Sequence, residues 1–137
     1  MKSVRVFADS EEMAEEIARR WYRGAEMAIK TRGVFSVTLS GGATPPKVYQ
    51  KMASPLWINK IPWDAVHIFW TDERCVPPES KESNYQTICR ALLNHVPIPK
   101  ENVHRMKGEE EPEKESIRYA QEIKDHMVLR NGQKNLF

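Results

Sequence analysis

Residues 40–44, Ser-Gly-Gly-Ala-Thr, combine glycines and hydroxyl side chains where a predicted strand meets a predicted helix. Glycine lets the backbone come close to a ligand. The helix that Pro45 favours at its first position would aim free N–H groups and the positive end of its dipole at the same place. These features suit a phosphate group, and the candidate binding residues are Ser40, Gly41, Gly42 and Thr44. A tight turn with glycines that serve only packing is the alternative, because neither a P-loop ending nor a GxGxxG pattern is present.

A second polar segment, residues 71–74 (Thr-Asp-Glu-Arg), follows another apolar run. The planar guanidinium of Arg74 can pair with a phosphate through two parallel hydrogen bonds. Asp72 can accept hydrogen bonds from sugar hydroxyls, or it can hold Arg74 in place. The alternative interpretation is a surface salt bridge among Asp72, Glu73 and Arg74, which would contribute little to stability.

Strands and helices alternate along the chain. Apolar or β-branched runs predict strands at residues 4–7, 34–39, 66–70 and 102–106. Capping signals and helical periodicity predict helices that begin near Asp9, Thr44, Ser83 and Pro112. This alternation is typical of an α/β fold, a Rossmann-like parallel sheet with helices on both faces. In such sheets ligands gather beyond the carboxyl ends of the strands, so both polar segments are expected to face one crevice.

Two of these helices carry further expectations. Gly33 is expected to end the first helix in the left-handed conformation. The last helix is expected to turn an apolar face inward, made of Ile117, Ala120, Ile123 and Met127.

Composition excludes several classes of function. The length of 137 residues suits one domain, and no linker divides it. A net charge of +2 with mixed acids and bases gives no basic face for nucleic acid, and no apolar run is long enough for a membrane span. The cysteines, Cys75 and Cys89, form no CxxC pair and are too few for a disulfide framework or a zinc site. A cytoplasmic, reducing setting is expected.

The ordered segments at residues 39–45, 70–77 and 82–85 resemble the signature of the 6-phosphogluconolactonases. The resemblance implies hydrolysis of 6-phosphoglucono-1,5-lactone to 6-phosphogluconate in the pentose phosphate pathway, with no metal or organic cofactor. The implied partner is a phosphorylated sugar lactone. The resemblance also implies that Gly41, Gly42, Thr44 and Arg74 surround the substrate phosphate, with Asp72 nearby.

Two other functions remain open as alternatives. Glucosamine-6-phosphate isomerases and deaminases share the implied fold, but they typically read Leu-Asp-Glu-Tyr where this chain has Thr-Asp-Glu-Arg at residues 71–74. Arg74 and the Ser-Gly-Gly loop favour the lactonase. A non-catalytic sugar-phosphate-binding module is the third candidate, although regulators of that kind normally carry a DNA-binding domain.

The chain departs from the lactonase pattern in one respect. Family lactonases continue with an apolar strand and an Asp-Gly-His-Thr segment whose histidine is the proposed general base, and residues 1–137 contain no such segment. The four histidines, at positions 67, 95, 104 and 126, are interpreted as surface or packing residues. Residues 1–137 are therefore expected to form the sugar-phosphate-binding half of the fold, truncated before the second half, without a catalytic residue. Loss of a general base typically costs about 10²–10⁴-fold in rate, so the polypeptide alone is expected to be inactive. Its exposed sheet edge would favour aggregation.

Overall fold

The computed structural model describes residues 4–131 as a parallel sheet with helices on both faces. The strands are β1 (Phe35–Leu39), β2 (Val66–Trp70) and β3 (Val103–His104). The helices are α1 (Ser10–Arg32), α2 (Pro45–Met52), α3 (Pro55–Ile58), α4 (Asn84–Ile88) and α5 (Pro112–Asn131). A π-helical turn (Cys89–Leu93) continues α4, and 3-10 turns (Trp63–Ala65, Lys100–Asn102) precede β2 and β3. None of the helices in this part of the chain is both long and apolar enough to cross a bilayer.

Capping groups fix both ends of α1, as predicted. The carboxylate of Asp9 accepts hydrogen bonds from the backbone N–H groups of Glu11 and Glu12, at 2.9 and 2.8 Å. Glu12 accepts one in return from the N–H of Ala8. At the other end Gly33 adopts φ +76°, and its N–H donates to the carbonyl of Ile29. These contacts satisfy backbone groups that a helix leaves unpaired at its ends.

The sheet has the order β1-β2-β3, and all of its pairings are parallel. Alternate residues of β2 face opposite sides, so Val66, Ile68 and Trp70 join the main core while His67 and Phe69 face α5. The core on the first side is completed by α1, α2 and the α4 region, including Ala14, Ala18, Val48, Tyr49, Met52, Ile88 and Leu92. The predicted parallel α/β fold with two covered faces is confirmed.

Helix α5 covers the second face mainly through polar side chains. The hydroxyl of Tyr119 accepts from the backbone N–H of Trp70 at 2.7 Å and lies 3.1 Å from the carbonyl of His104. Burial raises the pKa of Tyr119 to about 12. The predicted apolar face was wrong for Ile117, which is 73% exposed, and for Ala120. The buried positions of α5 carry Glu115, Tyr119 and His126, because hydrogen-bonding partners on the sheet and in the preceding loop satisfy these polar groups.

Two strand predictions were wrong, because one strand does not form and the other is shorter than predicted. Residues 4–7 form no strand, and Val4 and Val6 are 88% and 91% exposed. The side chain of Arg5 instead pairs with Glu16 of α1 at 2.6 Å, which holds this segment beside the helix and away from the sheet. The strand predicted at residues 102–106 is only Val103–His104, because Asn102 belongs to a 3-10 turn.

Low pH is expected to weaken the contact between α5 and the loop before it. Hydrogen bonds from Arg118 lower the pKa of the buried Glu115 carboxyl, and those from Arg105 lower the pKa of Glu109 to about 2. A lowered folded-state pKa gives stability that is present above the usual value of 4.5 and lost as the pH falls through the folded value. We expect Glu115→Gln to cost about 1–2 kcal/mol near neutrality.

This difference from the wild type is expected to shrink as the pH falls below the usual value of 4.5 and through the lowered folded-state pKa of Glu115, because the wild-type carboxyl then becomes protonated as well. Urea denaturation across this range measures it. Glu113→Gln, at an exposed position of the same helix, is the matched control. A pH-independent deficit in Glu115→Gln would contradict the prediction.

Candidate functional site

The two polar segments identified in the sequence lie side by side at the carboxyl ends of β1 and β2. Leu39 and Trp70 are partners in the register of the two strands. Immediately beyond them, the backbone N–H of Thr71 donates to the carbonyl of Leu39 at 3.0 Å, and the Thr71 hydroxyl lies 3.3 Å from the same oxygen. The glycine loop and the segment 71–74 therefore leave the sheet together, as the parallel topology predicts.

The glycine loop is held at its base by Tyr49 of α2. The N–H of Ser40 donates to the Tyr49 hydroxyl at 3.1 Å, and this hydroxyl donates to the Ser40 carbonyl at 2.7 Å. Burial raises the pKa of the Tyr49 hydroxyl, so it stays protonated at neutral pH. Gly42 has φ +95°, a conformation that glycine adopts without strain.

Thr44 occupies the N-cap position of α2 without acting as a side-chain cap. Its backbone has helical angles, φ −85° and ψ −45°, and its hydroxyl makes no capping hydrogen bond. The prediction that the Thr44 side chain caps α2 was therefore wrong, although α2 begins at Pro45 as predicted. The missing contact follows from the helical backbone angles, since capping residues normally have extended ones.

Asn84 joins the two segments directly. Its buried amide group donates from Nδ2 to the carbonyl of Asp72 at 3.0 Å. On its other side the amide group lies against Gly41, where a Cβ atom would meet Asn84 Oδ1 at 1.9 Å. Gly41 is therefore required by the close approach of a side chain, whereas the sequence predicted a close approach of a ligand.

Glu73 anchors the second segment to the N-terminus of α4. Its carboxylate accepts hydrogen bonds from the backbone N–H groups of Asn84 and Tyr85, both at 2.8 Å, and from the Ser83 hydroxyl at 3.2 Å. It also accepts one from the N–H of Arg74 at 2.7 Å. A carboxylate at a helix N-terminus is favoured both by these free donors and by the helix dipole. Asn84 and Glu73 were missed as site residues, and the only signal for Asn84 was its place in the segment 82–85.

The salt bridge that the sequence offered as an alternative does not form. Glu73 is occupied by α4, and the Asp72 carboxylate accepts from the Thr71 hydroxyl at 3.1 Å. Asp72 and Arg74 are both exposed, and within residues 4–131 the Arg74 guanidinium has no hydrogen bond or ion pair. An exposed guanidinium of this kind, next to the end of β2, can bind an anion.

The backbone of the Arg74 loop packs against Gly108. A Cβ atom at position 108 would lie 2.1 Å from the carbonyl oxygen of Arg74 and 2.7 Å from that of Val76. Arg74 also lines a groove of ≈ 560 Å³ whose walls include Trp70 and Tyr119. Residues 40–44 are not among the residues that line this groove. The structure thus brings Gly41 next to Asp72, and the convergence of Arg74 with the glycine amides on one anion stays a prediction.

None of the histidines lies beside the two polar segments. His95, at the end of the π-helical turn, is exposed, with Nε2 2.8 Å from the carbonyl of Arg90. The other histidines, His67, His104 and His126, meet beneath α5, so interpreting them as separate packing residues was incomplete. They line a groove under α5 that includes no residue of either polar segment.

Comparison with known proteins finds sequence and structural relatives of this chain. Residues 8–136 match the family model described as glucosamine-6-phosphate isomerases/6-phosphogluconolactonase. A 6-phosphogluconolactonase from Haemophilus influenzae is 40% identical over 96 residues, which are 70% of this chain and 40% of that protein. One from Nostoc is 44% identical over 79 residues, 58% of this chain and 31% of that protein.

A solved 6-phosphogluconolactonase structure from Thermotoga maritima superposes with a TM-score of 0.79 at 30% identity. The superposition covers 89% of this chain and 53% of that one. The chain thus spans less than half the length of the curated relatives above. The family match extends over nearly all of its residues and includes both polar segments. On this evidence of sequence and fold together, the chain belongs to the family of glucosamine-6-phosphate isomerases and 6-phosphogluconolactonases.

Proposed function

We propose that this chain forms the sugar-phosphate-binding half of an enzyme that hydrolyses 6-phosphoglucono-1,5-lactone to 6-phosphogluconate. The observation that carries the proposal is the exposed guanidinium of Arg74, which has no hydrogen bond or ion pair within residues 4–131 and lies in a segment fastened to the glycine loop through Asn84. The relatives from Haemophilus influenzae and Nostoc, which match more than half of the chain, are 6-phosphogluconolactonases, which supports this substrate class.

The chemistry of the proposed reaction assigns binding and orientation to the described residues. Arg74, Gly41, Gly42 and Thr44 would hold the phosphate, with Ser40 at the base of the loop and Asp72 accepting from sugar hydroxyls. Water adds to the lactone carbonyl, the ring ester bond breaks, and the released hydroxyl takes up a proton. A general base would have to deprotonate the attacking water. No histidine within residues 4–131 lies beside Arg74, so this base is assigned to a part of the enzyme outside the described residues.

The proposal extends to the cellular setting. Cys75 and Cys89 are free thiols, one exposed and one buried. Unpaired cysteines are typical of a reducing compartment, which supports the cytoplasmic location inferred for the enzyme.

Replacement of Arg74 tests the proposed phosphate contact. Calorimetric titration of the 137-residue chain with 6-phosphogluconate measures the affinity. We expect Arg74→Ala to weaken binding by about 10–100-fold, because hydrogen bonds to a charged group contribute about 1.5–3 kcal/mol. The affinity of Arg74→Lys is expected to lie between those of the wild type and Arg74→Ala, since lysine keeps the charge but loses the paired hydrogen-bond geometry.

Arg23→Ala provides the matched control, since Arg23 is an exposed arginine of α1 far along the chain from the site. Equal affinities for the Arg74→Ala and Arg23→Ala variants would overturn the proposed contact. Titration with glucosamine 6-phosphate separates the lactonase from the isomerase alternative. Tighter binding of glucosamine 6-phosphate than of 6-phosphogluconate would favour the isomerase.

A further inference from the structure

Three histidines from different elements converge between the sheet and α5. His67 belongs to β2, His104 to β3 and His126 to α5, and one ligand atom of each lies within 4.8 Å of the others. Nδ1 of His67 and Nε2 of His104 are 3.0 Å apart. His67 and His126 are 5% and 7% exposed. Residues distant in sequence thus place their imidazoles around one point in the interior.

We propose that His67, His104 and His126 bind one divalent transition-metal ion of the Zn²⁺ type. Neutral imidazole is a preferred ligand of Zn²⁺, Ni²⁺ and Cu²⁺. Two nitrogens bound to one tetrahedral Zn²⁺ lie roughly 3.4 Å apart, given Zn–N bonds of about 2.1 Å. The separations in the cluster, from 3.0 Å to at most 4.8 Å, bracket this value. The spacing of the three nitrogens is therefore compatible with a single shared ion.

Neighbouring polar groups orient two of the three rings. Oε1 of Glu122 lies 2.7 Å from Nδ1 of His104, and Oγ of Ser36 lies 2.7 Å from Nε2 of His126. Because a carboxylate only accepts, Nδ1 of His104 donates to Glu122, and in the neutral ring Nε2 is then the nitrogen with a lone pair for a metal ion. A carboxylate behind a histidine is the arrangement that commonly fixes metal-binding imidazoles and raises their basicity. A metal ion binds the deprotonated nitrogen, so the proton shared between Nδ1 of His67 and Nε2 of His104 is released when the ion enters.

A surface groove gives a cation access to the cluster. The groove has a volume of ≈ 790 Å³, and its walls include all three histidines together with Glu101, Glu122 and Asp125. Its one guanidinium, that of Arg118, is paired with Glu115 and Glu122. The charge along the groove therefore favours entry of a positive ion. The three histidines belong to β2, β3 and α5, so the ion would link these elements, whereas Arg74 follows the end of β2 and is not among the residues that line this groove.

Metal titration of the untagged 137-residue chain tests the proposal. After removal of metals with a chelator, calorimetry with Zn²⁺ is expected to show one ion per chain, and Zn²⁺ is expected to raise the melting temperature, because it binds only the folded arrangement. Co²⁺ serves as the spectroscopic probe, and the intense visible absorption of tetrahedral nitrogen coordination is expected. Absence of stoichiometric Zn²⁺ binding, or the weak absorption of hexa-aqua Co²⁺, would overturn the proposal.

Variants identify the ligands. Replacing a residue that orients a metal ligand typically weakens metal binding by roughly 10–100-fold. His104→Gln and His126→Gln remove ligands themselves, so each is expected to weaken Zn²⁺ binding by more than this. Glu122→Gln is expected to weaken Zn²⁺ binding by an amount within that range, while the chain still binds one ion. His95→Gln removes the one histidine outside the cluster and is expected to bind like wild type. Equal loss in His95→Gln would contradict the site, and far-UV circular dichroism checks that each variant folds. If a ligand variant fails to fold, the Co²⁺ spectrum of the wild type decides.

Discussion

Gly41→Ala is expected to destabilise the chain by about 3 kcal/mol and to weaken sugar-phosphate binding more than any other single-methyl change at the site. The new Cβ would lie 1.9 Å from Oδ1 and 2.4 Å from Cγ of Asn84, so this buried side chain has to move. Movement of Asn84 breaks its hydrogen bond to the carbonyl of Asp72 and leaves buried polar groups unsatisfied. Urea denaturation measures the loss of stability, and titration with 6-phosphogluconate measures the loss of affinity.

Two other glycine-to-alanine changes are the controls for this experiment. At Gly24, within α1, the nearest atom to a new Cβ is on the Phe35 ring at 3.9 Å, and alanine in a helix is expected to stabilise by about 0.5–1 kcal/mol. At Gly42 no atom lies within 4 Å, so only the strain of φ +95° applies, about 1–2 kcal/mol. A Gly41→Ala variant no less stable than Gly42→Ala would show that Asn84 does not hold the loops together.

Glu73→Ala is expected to cost about 3 kcal/mol, a large effect for a side chain that is not fully buried. Its carboxylate accepts from the backbone N–H groups of Arg74, Asn84 and Tyr85 and from the Ser83 hydroxyl. Alanine leaves these donors without their charged acceptor and removes a favourable charge from the N-terminus of α4. Because Arg74 is the next residue, its position is released and affinity for 6-phosphogluconate falls as well. Chemical denaturation and calorimetric titration report the two effects separately.

Graded substitutions show whether the carboxylate causes this effect. Glu73→Gln keeps the shape but replaces one accepting oxygen with a donating amide NH2 group, so an intermediate loss of stability is expected. Glu79→Ala removes an exposed carboxylate from the same loop and is expected to change stability by less than about 0.5 kcal/mol. If Glu73→Ala and Glu79→Ala were equally stable, the anchoring of α4 through Glu73 would be refuted.

The strands that form the centre of the sheet were predictable because their signals are local. β2 is buried along its whole length, and its continuous apolar run is bounded by turn residues, which is typical of a parallel strand covered on both faces. The ends of α1 were predictable for the same reason, since Asp9 and Gly33 satisfy backbone groups within a few residues. The parallel arrangement then followed from the alternation of strands and helices.

The errors arise where contacts with residues distant in the sequence determine the local structure. The alternation of Val4 and Val6 reads as a strand, but no neighbouring strand pairs with it, and an ion pair between Arg5 and Glu16 holds the segment beside α1. The spacing of Ile117 and Ala120 likewise reads as a buried face of α5. Buried hydrogen bonds of Tyr119 and His126 with the sheet turn a different face inward.

Within the candidate site, the sequence placed the two polar segments at neighbouring strand ends, as found in the structure, but it did not indicate the contacts that hold them. Gly41 and Asp72 were selected as ligand-binding residues, and their link runs through Asn84, which belongs to neither segment. Glu73 reads as half of a surface salt bridge because its true partners are backbone N–H groups, which carry no sequence signal. The meeting of three histidines depends on the tertiary fold in the same way.

The paired hydrogen bonds between Tyr49 and both backbone groups of Ser40 close the glycine loop into a ring that includes the first turn of α2. A loop closed in this way has few conformations left to lose at its first residues when an anion binds. The conformational entropy of that part of the loop is given up during folding and does not oppose association later. Such preorganisation allows a loop built on flexible glycines to bind a small charged group without first having to become ordered.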